Sequence, residues 1–347
     1  MNNFILSKFV APLIELCSDS NFWRLYKGML NQHIHPNLES ADESPARLNN
    51  LFHSLFTIPY WQPILASSNI KPDIIDNKNA FQYLALLPIT FKSTYNKNFP
   101  DRITSARHKS SWQFLSSAGT NDRMTVVTDF VKRDFLRASE HLTIKLSQGQ
   151  PFGRRTVDIP PSACNVVCGL ADDGPEPLFK YLFWLIKNKR SFNSAAISDL
   201  RGRVERQIFL KRKTLLPIES NDWAHTCIQL DKYLEQITLE KINVIRGYPH
   251  FLYWLAKRAA QKNMRFPHVD VLIPYGGLAG ESLVTYICSV FDADFVNAYG
   301  TGEVGSIGIS AKNTHEIDVY QSVVHVEIID EQGHPVPKGQ HRQYSRD

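Results

Sequence analysis

Between Lys241 and Gly305 the chain alternates twice between a short apolar run, a glycine-bearing loop and an amphipathic stretch of helix length, and few folds accept that order. Lys241-Ile242-Asn243-Val244-Ile245 reads as a buried strand and Arg246-Gly247-Tyr248 as a loop. Pro249 then suits the first position of a helix, where a missing N–H costs nothing. That helix carries Leu252, Leu255, Ala256 and Ala259 on one face and turns Lys257, Arg258 and Lys262 away, the spacing of a helix packed on a sheet. Val269-Asp270-Val271-Leu272-Ile273 is the next strand, followed by the loop Tyr275-Gly276-Gly277-Leu278-Ala279-Gly280. A second helix from about Glu281 should bury Leu283, Tyr286, Ile287 and Val290. Phe291-Asp292-Ala293-Asp294-Phe295-Val296 reads as a third strand, which leaves Asn297-Ala298-Tyr299-Gly300-Thr301-Gly302-Glu303-Val304-Gly305 in the loop after it. The expectation is an α/β fold with a mostly parallel sheet flanked by helices, its three loops on the edge where open α/β sheets bind ligands.

Bulk properties suit an intracellular enzyme and exclude several other classes. The chain has 347 residues, 43% of them hydrophobic, enough for a large core and more than one domain. Its five cysteines (Cys17, Cys164, Cys168, Cys227, Cys288) are odd in number and scattered, and no second Cys or His pair joins Cys164 and Cys168 at zinc spacing. They read as buried free thiols in a reducing cytoplasm. No apolar run nears the ~20 residues that span a bilayer. Residues 1–17, with Lys8 and Glu15, read as a packed amphipathic helix rather than a signal peptide. The net charge of +5 is a mild excess, and Lys187-Asn188-Lys189-Arg190 and residues 201–213 read as solvated helix faces. With no basic motif interleaved by aromatics, a nucleic-acid partner is not expected.

A second chemical signal lies in Leu115-Ser116-Ser117-Ala118-Gly119-Thr120-Asn121-Asp122-Arg123-Met124-Thr125-Val126-Val127. Small hydroxyl and glycine residues between two strand-like runs can turn tightly and point backbone N–H groups inward. Such a nest cradles phosphate oxygens, with Arg123 adding charge. Taken alone, the same residues also suit an ordinary hairpin turn, the commoner use of such a run.

Together these segments resemble the adenylate-forming superfamily, and within it the phenylacetate–CoA ligase-like branch that includes capsular-polysaccharide-biosynthesis proteins. The resemblance begins at Leu48-Asn49-Asn50-Leu51-Phe52 and Ile58-Pro59-Tyr60-Trp61, and continues through Leu87-Pro88-Ile89-Thr90-Phe91-Lys92 and the loop from Ser116 to Val127. Gly247-Tyr248-Pro249, Gly280-Glu281-Ser282-Leu283 and Tyr299-Gly300-Thr301-Gly302-Glu303 follow in the family's order, with His315 and the run from Val324 to Asp330 behind them. Each motif is weak, and their shared order is not. The implied organisation is an N-terminal helical region (1–76), the large adenylate-forming α/β core (77–318), and the start of an incomplete β-subdomain with a truncated tail (319–347).

The resemblance implies a two-step reaction. A carboxylic acid attacks the α-phosphate of ATP to give an acyl-adenylate and pyrophosphate, and a thiol, usually coenzyme A, then displaces AMP. Ser117, Ala118, Gly119, Thr120, Asn121 and Arg123 would hold the phosphates. Ala279, Gly280 and Glu281 would lie along the adenine edge, and Ala298, Tyr299 and Gly300 would carry the adenine, with Tyr299 stacking on it unless it is a core tyrosine. Glu303 would bind Mg²⁺, although a carboxylate there could instead cap the turn. Tyr248, Gly276 and Gly277 would line the acid pocket, with packing an equal alternative for Tyr248.

The chain departs from the family at several points. An ungapped alignment puts Asp122 and Met124 where the family has a Gly and a Pro, and Gly302 where it has a Ser or Thr, a hydroxyl that Thr301 could replace. After Gly339 the family continues with a strand, a ribose-binding Asp and a small domain bearing a catalytic Lys. Gln340-His341-Arg342-Gln343-Tyr344-Ser345-Arg346-Asp347 matches none of these, which implies truncation and impaired catalysis. A hairpin without its later partners would leave an edge prone to association, so a homodimer is one expectation. A non-catalytic remnant that binds a nucleotide or acyl group is the alternative to a working ligase.

Overall fold

The computed structural model describes residues 5–13, 21–34, 44–104, 112–116, 124–148, 154–160, 178–188, 200, 202–209, 211–215, 222–277, 279–321, 324–330 and 336. The chain divides into two compact units, Met1–Leu38 with His108–Tyr320, and Glu39–Arg107 with Gln321–Asp347.

In the first unit, α1 (Phe22–Ile34) precedes a hairpin of β1 (Gln113–Ser116) and β2 (Thr125–Thr128), and then come α2 (Phe130–Gln148), β3 (Thr156–Ile159), α3 (Leu178–Lys187) and β4 (Arg212–Thr214). The alternating segment supplies α4 (Trp223–Leu239), β5 (Val244–Gly247), α5 (Pro249–Gln261), β6 (Val271–Pro274), α6 (Glu281–Phe291) and β7 (Asp294–Phe295). It ends in β8 (Ala298–Thr301), β9 (Gly305–Ser310) and β10 (Ile317–Val319).

Five strands form one sheet in the order β4-β3-β5-β6-β7, and every pairing in it is parallel. Alternate residues face opposite layers. Val157, Ile159, Ile245, Leu272 and Phe295 pack with α4, α5 and α6, whereas Val244, Val271, Ile273 and Val296 pack with Phe22 and Tyr26 of α1 and Phe135, Ala138 and Leu142 of α2. Burial of both faces is why these strands read as unbroken apolar runs. In α5 the expected stripe of Leu252, Leu255, Ala256 and Ala259 is buried, each leucine worth ~1.5–3 kcal/mol. On its polar side Arg258 makes a two-pronged contact with Asp231 of α4, 2.7 and 2.8 Å, and Lys262 a third at 2.9 Å. Those hydrogen bonds, Arg258 first, hold the Asp231 carboxyl down to about 2.

Four sequence expectations shift. The buried row of α6 is Val284, Ile287 and Phe291, with Leu283 and Val290 only partly buried and Tyr286 36% exposed. Phe291 ends the helix instead of opening a strand, because Asp292 turns left-handed (φ 51°) directly after it. The Tyr299 segment is itself a strand, paired antiparallel with β9 in a second sheet, β10-β9-β8. Within the basic stretch, Arg203 is fully buried with its guanidinium 3.9 Å from the centre of the Tyr181 ring, where a solvated face was expected, and the aromatic face contributes to holding the cation.

The second unit is helical over Ser44–Leu55, Trp61–Ser67, Ala80–Leu84 and Lys92–Asn98, around a core of Leu48, Phe52, Leu65, Ile70, Ile75 and Ala80. His325 lies on the ring of Phe81, with centroids 4.6 Å apart. Among the described residues no helix is long and apolar enough to cross a membrane.

Candidate active site

Because β5, β6 and β7 are parallel neighbours, the segments that follow them emerge at one edge. Gly247 ends β5 in tight quarters, since a Cβ there would stand 3.1 Å from the Ile159 carbonyl oxygen. After β6, Tyr275 donates its N–H to the Gly247 carbonyl at 3.1 Å, and Gly276 follows with φ +74°. A side chain at Gly276 would collide with the Tyr248 ring, its Cβ only 2.4 Å from Cε2. The left-handed glycine therefore lets this ring lie directly on the backbone of the next loop. Tyr248 is half-buried, and burial raises its phenol. Its ring also meets His250 at 5.5 Å and Tyr275 at 6.0 Å, and burial lowers the His250 imidazole, which favours the neutral form. Gly276 and Gly277 are exposed, so the structure brings Tyr248, Gly276 and Gly277 together around open space.

Beneath that loop lies a charged network that sequence reasoning missed. Tyr275 donates its hydroxyl to Asp158 Oδ1 at 2.9 Å, and the Arg246 guanidinium sits 5.4 Å from the Tyr275 ring. Arg246 forms an ion pair with Glu140 of α2, and their side chains are only 18% and 15% exposed. Burial pulls the Arg246 guanidinium below its ordinary value, with Tyr275 opposing. Asp158 and Arg246 are register partners on adjacent strands. A charge at the third position of two otherwise apolar strands was the available signal.

The β8–β9 hairpin stands beyond β7. Tyr299 is 54% exposed, which removes the core reading. Gly300 passes so close to its partner strand that a Cβ would lie 2.5 Å from the Gly305 carbonyl oxygen. The turn is capped by Thr301, whose Oγ1 accepts from Val304 N at 3.2 Å. Gly305, at φ +100°, lies against α2, where a Cβ would stand 2.8 Å from Leu136 Cδ2. Helix α2 also holds the hairpin through Ser139 Oγ to Ser306 Oγ at 2.8 Å and through Lys132, whose Nζ donates to the carbonyls of Gly302 (2.9 Å) and Glu303 (2.7 Å). Burial lowers the Lys132 amine, opposed by the charges of Glu303 and then Asp129. Ala298 is half-buried at the base of the hairpin. Gly280 caps α6 without a side-chain hydrogen bond, between half-buried Ala279 and exposed Glu281. Ser117, Ala118, Gly119, Thr120, Asn121 and Arg123 lie outside the described residues; on either side, Ser116 pairs antiparallel with Thr125.

A polar groove of about 700 Å³ opens at the other end of the sheet, lined by Arg154, Arg265, Asp270, Cys288, Asp294 and Lys312. It flanks Val271 and Asp294, the first residues of β6 and β7, so it marks the amino edge. Ion pairs Arg154–Asp270 (2.8 Å) and Lys312–Asp294 (3.1 Å) cross it, and burial, then Asp294, pushes the Cys288 thiol up to about 11. Open α/β sheets bind at the opposite edge, where the glycine loops are.

No known family model matches the sequence, and no curated protein sequence matches it. Solved structures do. An open conformation of 2-hydroxyisobutyryl-CoA ligase in complex with 2-HIB-AMP and CoA matches with a TM-score of 0.59, at 12% identity, over 85% of this chain and 62% of the ligase. The fold is similar to that of the part of the ligase it covers. The same enzyme in the postadenylation state with 2-HIB-AMP gives 0.59 at 13% identity, over 85% of this chain and 56% of that one. In its thioesterification state it gives 0.52 at 14% identity, over 87% and 59%. The chain thus spans about three fifths of the ligase's length, and at this identity the likeness speaks for the fold.

Proposed function

We propose that the chain carries the nucleotide- and acid-binding part of an adenylate-forming enzyme, which joins a carboxylic acid to AMP with release of pyrophosphate before transfer to coenzyme A or another acceptor. We assign it to the phenylacetate–CoA ligase-like branch on the ordered motifs from Leu48 to Asp330. The observation that carries the reading is the fold match over 85% of the chain to a ligase captured with an acyl-AMP. The convergence of the Tyr248 and Gly276 loops on the carboxyl edge supports it.

In this reading the exposed Tyr299 ring stacks on adenine, and Gly300 leaves bare backbone beside it. Ala279, Gly280 and Glu281 border the adenine edge, and residues 117–123 receive the outer phosphates. Thr301 accepts in the turn cap, which leaves its O–H to donate to the phosphate. Tyr248, Gly276 and Gly277 border the acid. The acid's carboxylate oxygen bonds to the α-phosphorus as the bond to the pyrophosphate oxygen breaks. The nucleophile is already an ionised carboxylate, so no proton needs to move in this step, and these residues position the partners and offset charge.

Magnesium fits one residue. Among the described residues no cluster of three or more His, Cys, Asp or Glu could hold a metal on its own, whereas half-buried Glu303 presents a carboxylate beside the phosphate-facing turn. A single carboxylate is the donor set expected for Mg²⁺ shared with nucleotide phosphates. When bound there, the ion would supply charge neutralisation as pyrophosphate leaves.

Exchange of radiolabelled pyrophosphate into ATP tests the reading. With Mg²⁺ and a panel of aryl, fatty and hydroxy acids, at least one acid should raise exchange above the acid-free control. ATP binding without exchange would favour the non-catalytic alternative. Absence of both binding and exchange would overturn the proposal.

A further inference from the structure

Lys132 leaves the first turn of α2 to reach a hairpin 170 residues away, and two of its three N–H donors go to the carbonyls of Gly302 and Glu303. The third has no acceptor among the described residues. The carboxylates of Glu303 and Asp129 act on this ammonium across space. Holding two backbone carbonyls does not require a full charge. Taking an ammonium partly out of water costs free energy that a neutral amide donor would avoid. With Glu303 and Asp129 already offsetting its charge, what the ammonium has left to give is its third donor, and it lies at the turn after β8 that also carries the Thr301 hydroxyl and the Glu303 carboxylate, close in the chain to the exposed ring of Tyr299. Gly302, lacking a side chain, does nothing to cover it.

We propose that Lys132 is a phosphate-contacting residue of the nucleotide site, its third N–H donating to a non-bridging oxygen of the phosphate carried by AMP and shared with the α-phosphate of ATP. The inference rests on the nucleotide reading above. It gives the turn a fixed cation that offsets phosphate charge while the carboxylate approaches, in addition to holding the Gly302 and Glu303 carbonyls.

Calorimetry on the full chain separates the roles, with AMP and adenosine as probes and EDTA present so that no metal ion contributes. Wild type should bind AMP more tightly than adenosine. Lys132→Met should lose AMP affinity by about 10- to 100-fold, the range for a charged hydrogen bond, and leave adenosine affinity unchanged. Lys132→Arg should restore most of the AMP preference. Lys132→Gln, whose amide can still donate to the turn, carries the same expectation should the Met variant fail to fold in a thermal melt. Equal losses for AMP and adenosine would make Lys132 a turn clamp only and overturn the proposal, as would unchanged affinity for both. Failure of the wild type to bind AMP would instead overturn the nucleotide reading, and this inference with it.

Discussion

Glu140→Ala should lower the stability of the chain by about 3–5 kcal/mol, read as an earlier urea midpoint at unchanged slope. It would remove the carboxylate that pairs with Arg246 and leave the guanidinium between α2 and the sheet, where both side chains are less than one-fifth exposed. Breaking such a pair costs more than the pair itself contributes, because the surviving charge stays desolvated. The double variant Glu140→Leu with Arg246→Met should recover most of the loss, since apolar groups of similar volume need no partner. A single variant within about 0.5 kcal/mol of wild type would mean that the pair is solvated and the network beneath Tyr275 is not an interior one.

Gly276→Val should be the most damaging change at the acid end of the site. A left-handed backbone costs a residue with a Cβ about 1–2 kcal/mol. The added atom would also stand 2.4 Å from Tyr248 Cε2, so the ring or the loop must move. Displacing a positioning group by about 1 Å can cost ~10² in rate. Acid-dependent pyrophosphate exchange should therefore fall about 100-fold or more, and the melting temperature should drop. Gly277→Ala is the control, because its Cβ would meet Pro249 Cδ at an ordinary 3.6 Å. Equal effects from the two changes would show that the close approach of Gly276 to Tyr248 has no particular importance.

The parallel sheet was legible because its strands are buried on both faces and its helices on one. Val244-Ile245 and Val271-Leu272-Ile273 are apolar without alternation, Pro249 marks a helix start, and the α5 stripe keeps its 3.6-residue spacing. The β8–β10 sheet was not legible. Tyr299, Gly300 and Thr301 are all exposed, so β8 shows no hydrophobic pattern, and its pairing depends on Gly300 and Gly305 admitting a close approach. The shift of the α6 row came from assigning Phe291 to a strand when it is the last turn of the helix.

At the candidate site, glycines and aromatics in loops after strands were visible, and the groups beneath them were not. Arg246 read as a loop residue, yet it is the third residue of β5, facing α2. Its partner Glu140 sits in a helix that nothing in the local sequence links to β5. Lys132 likewise reaches Gly302 only because α2 packs along β9, a long-range arrangement with no local sequence signature.

The central claim is that a nucleotide and an acid meet at the carboxyl edge of β5, β6 and β7. A crystal structure of the chain soaked with a non-hydrolysable acyl-adenylate analogue tests it most directly. The account predicts adenine against the Tyr299 ring, the phosphate surrogate at the turn of Thr301 and Lys132, and the acyl group over Tyr248 and Gly276. Ligand density in the amino-edge groove between Arg154, Arg265 and Lys312, with the carboxyl edge empty, would contradict it.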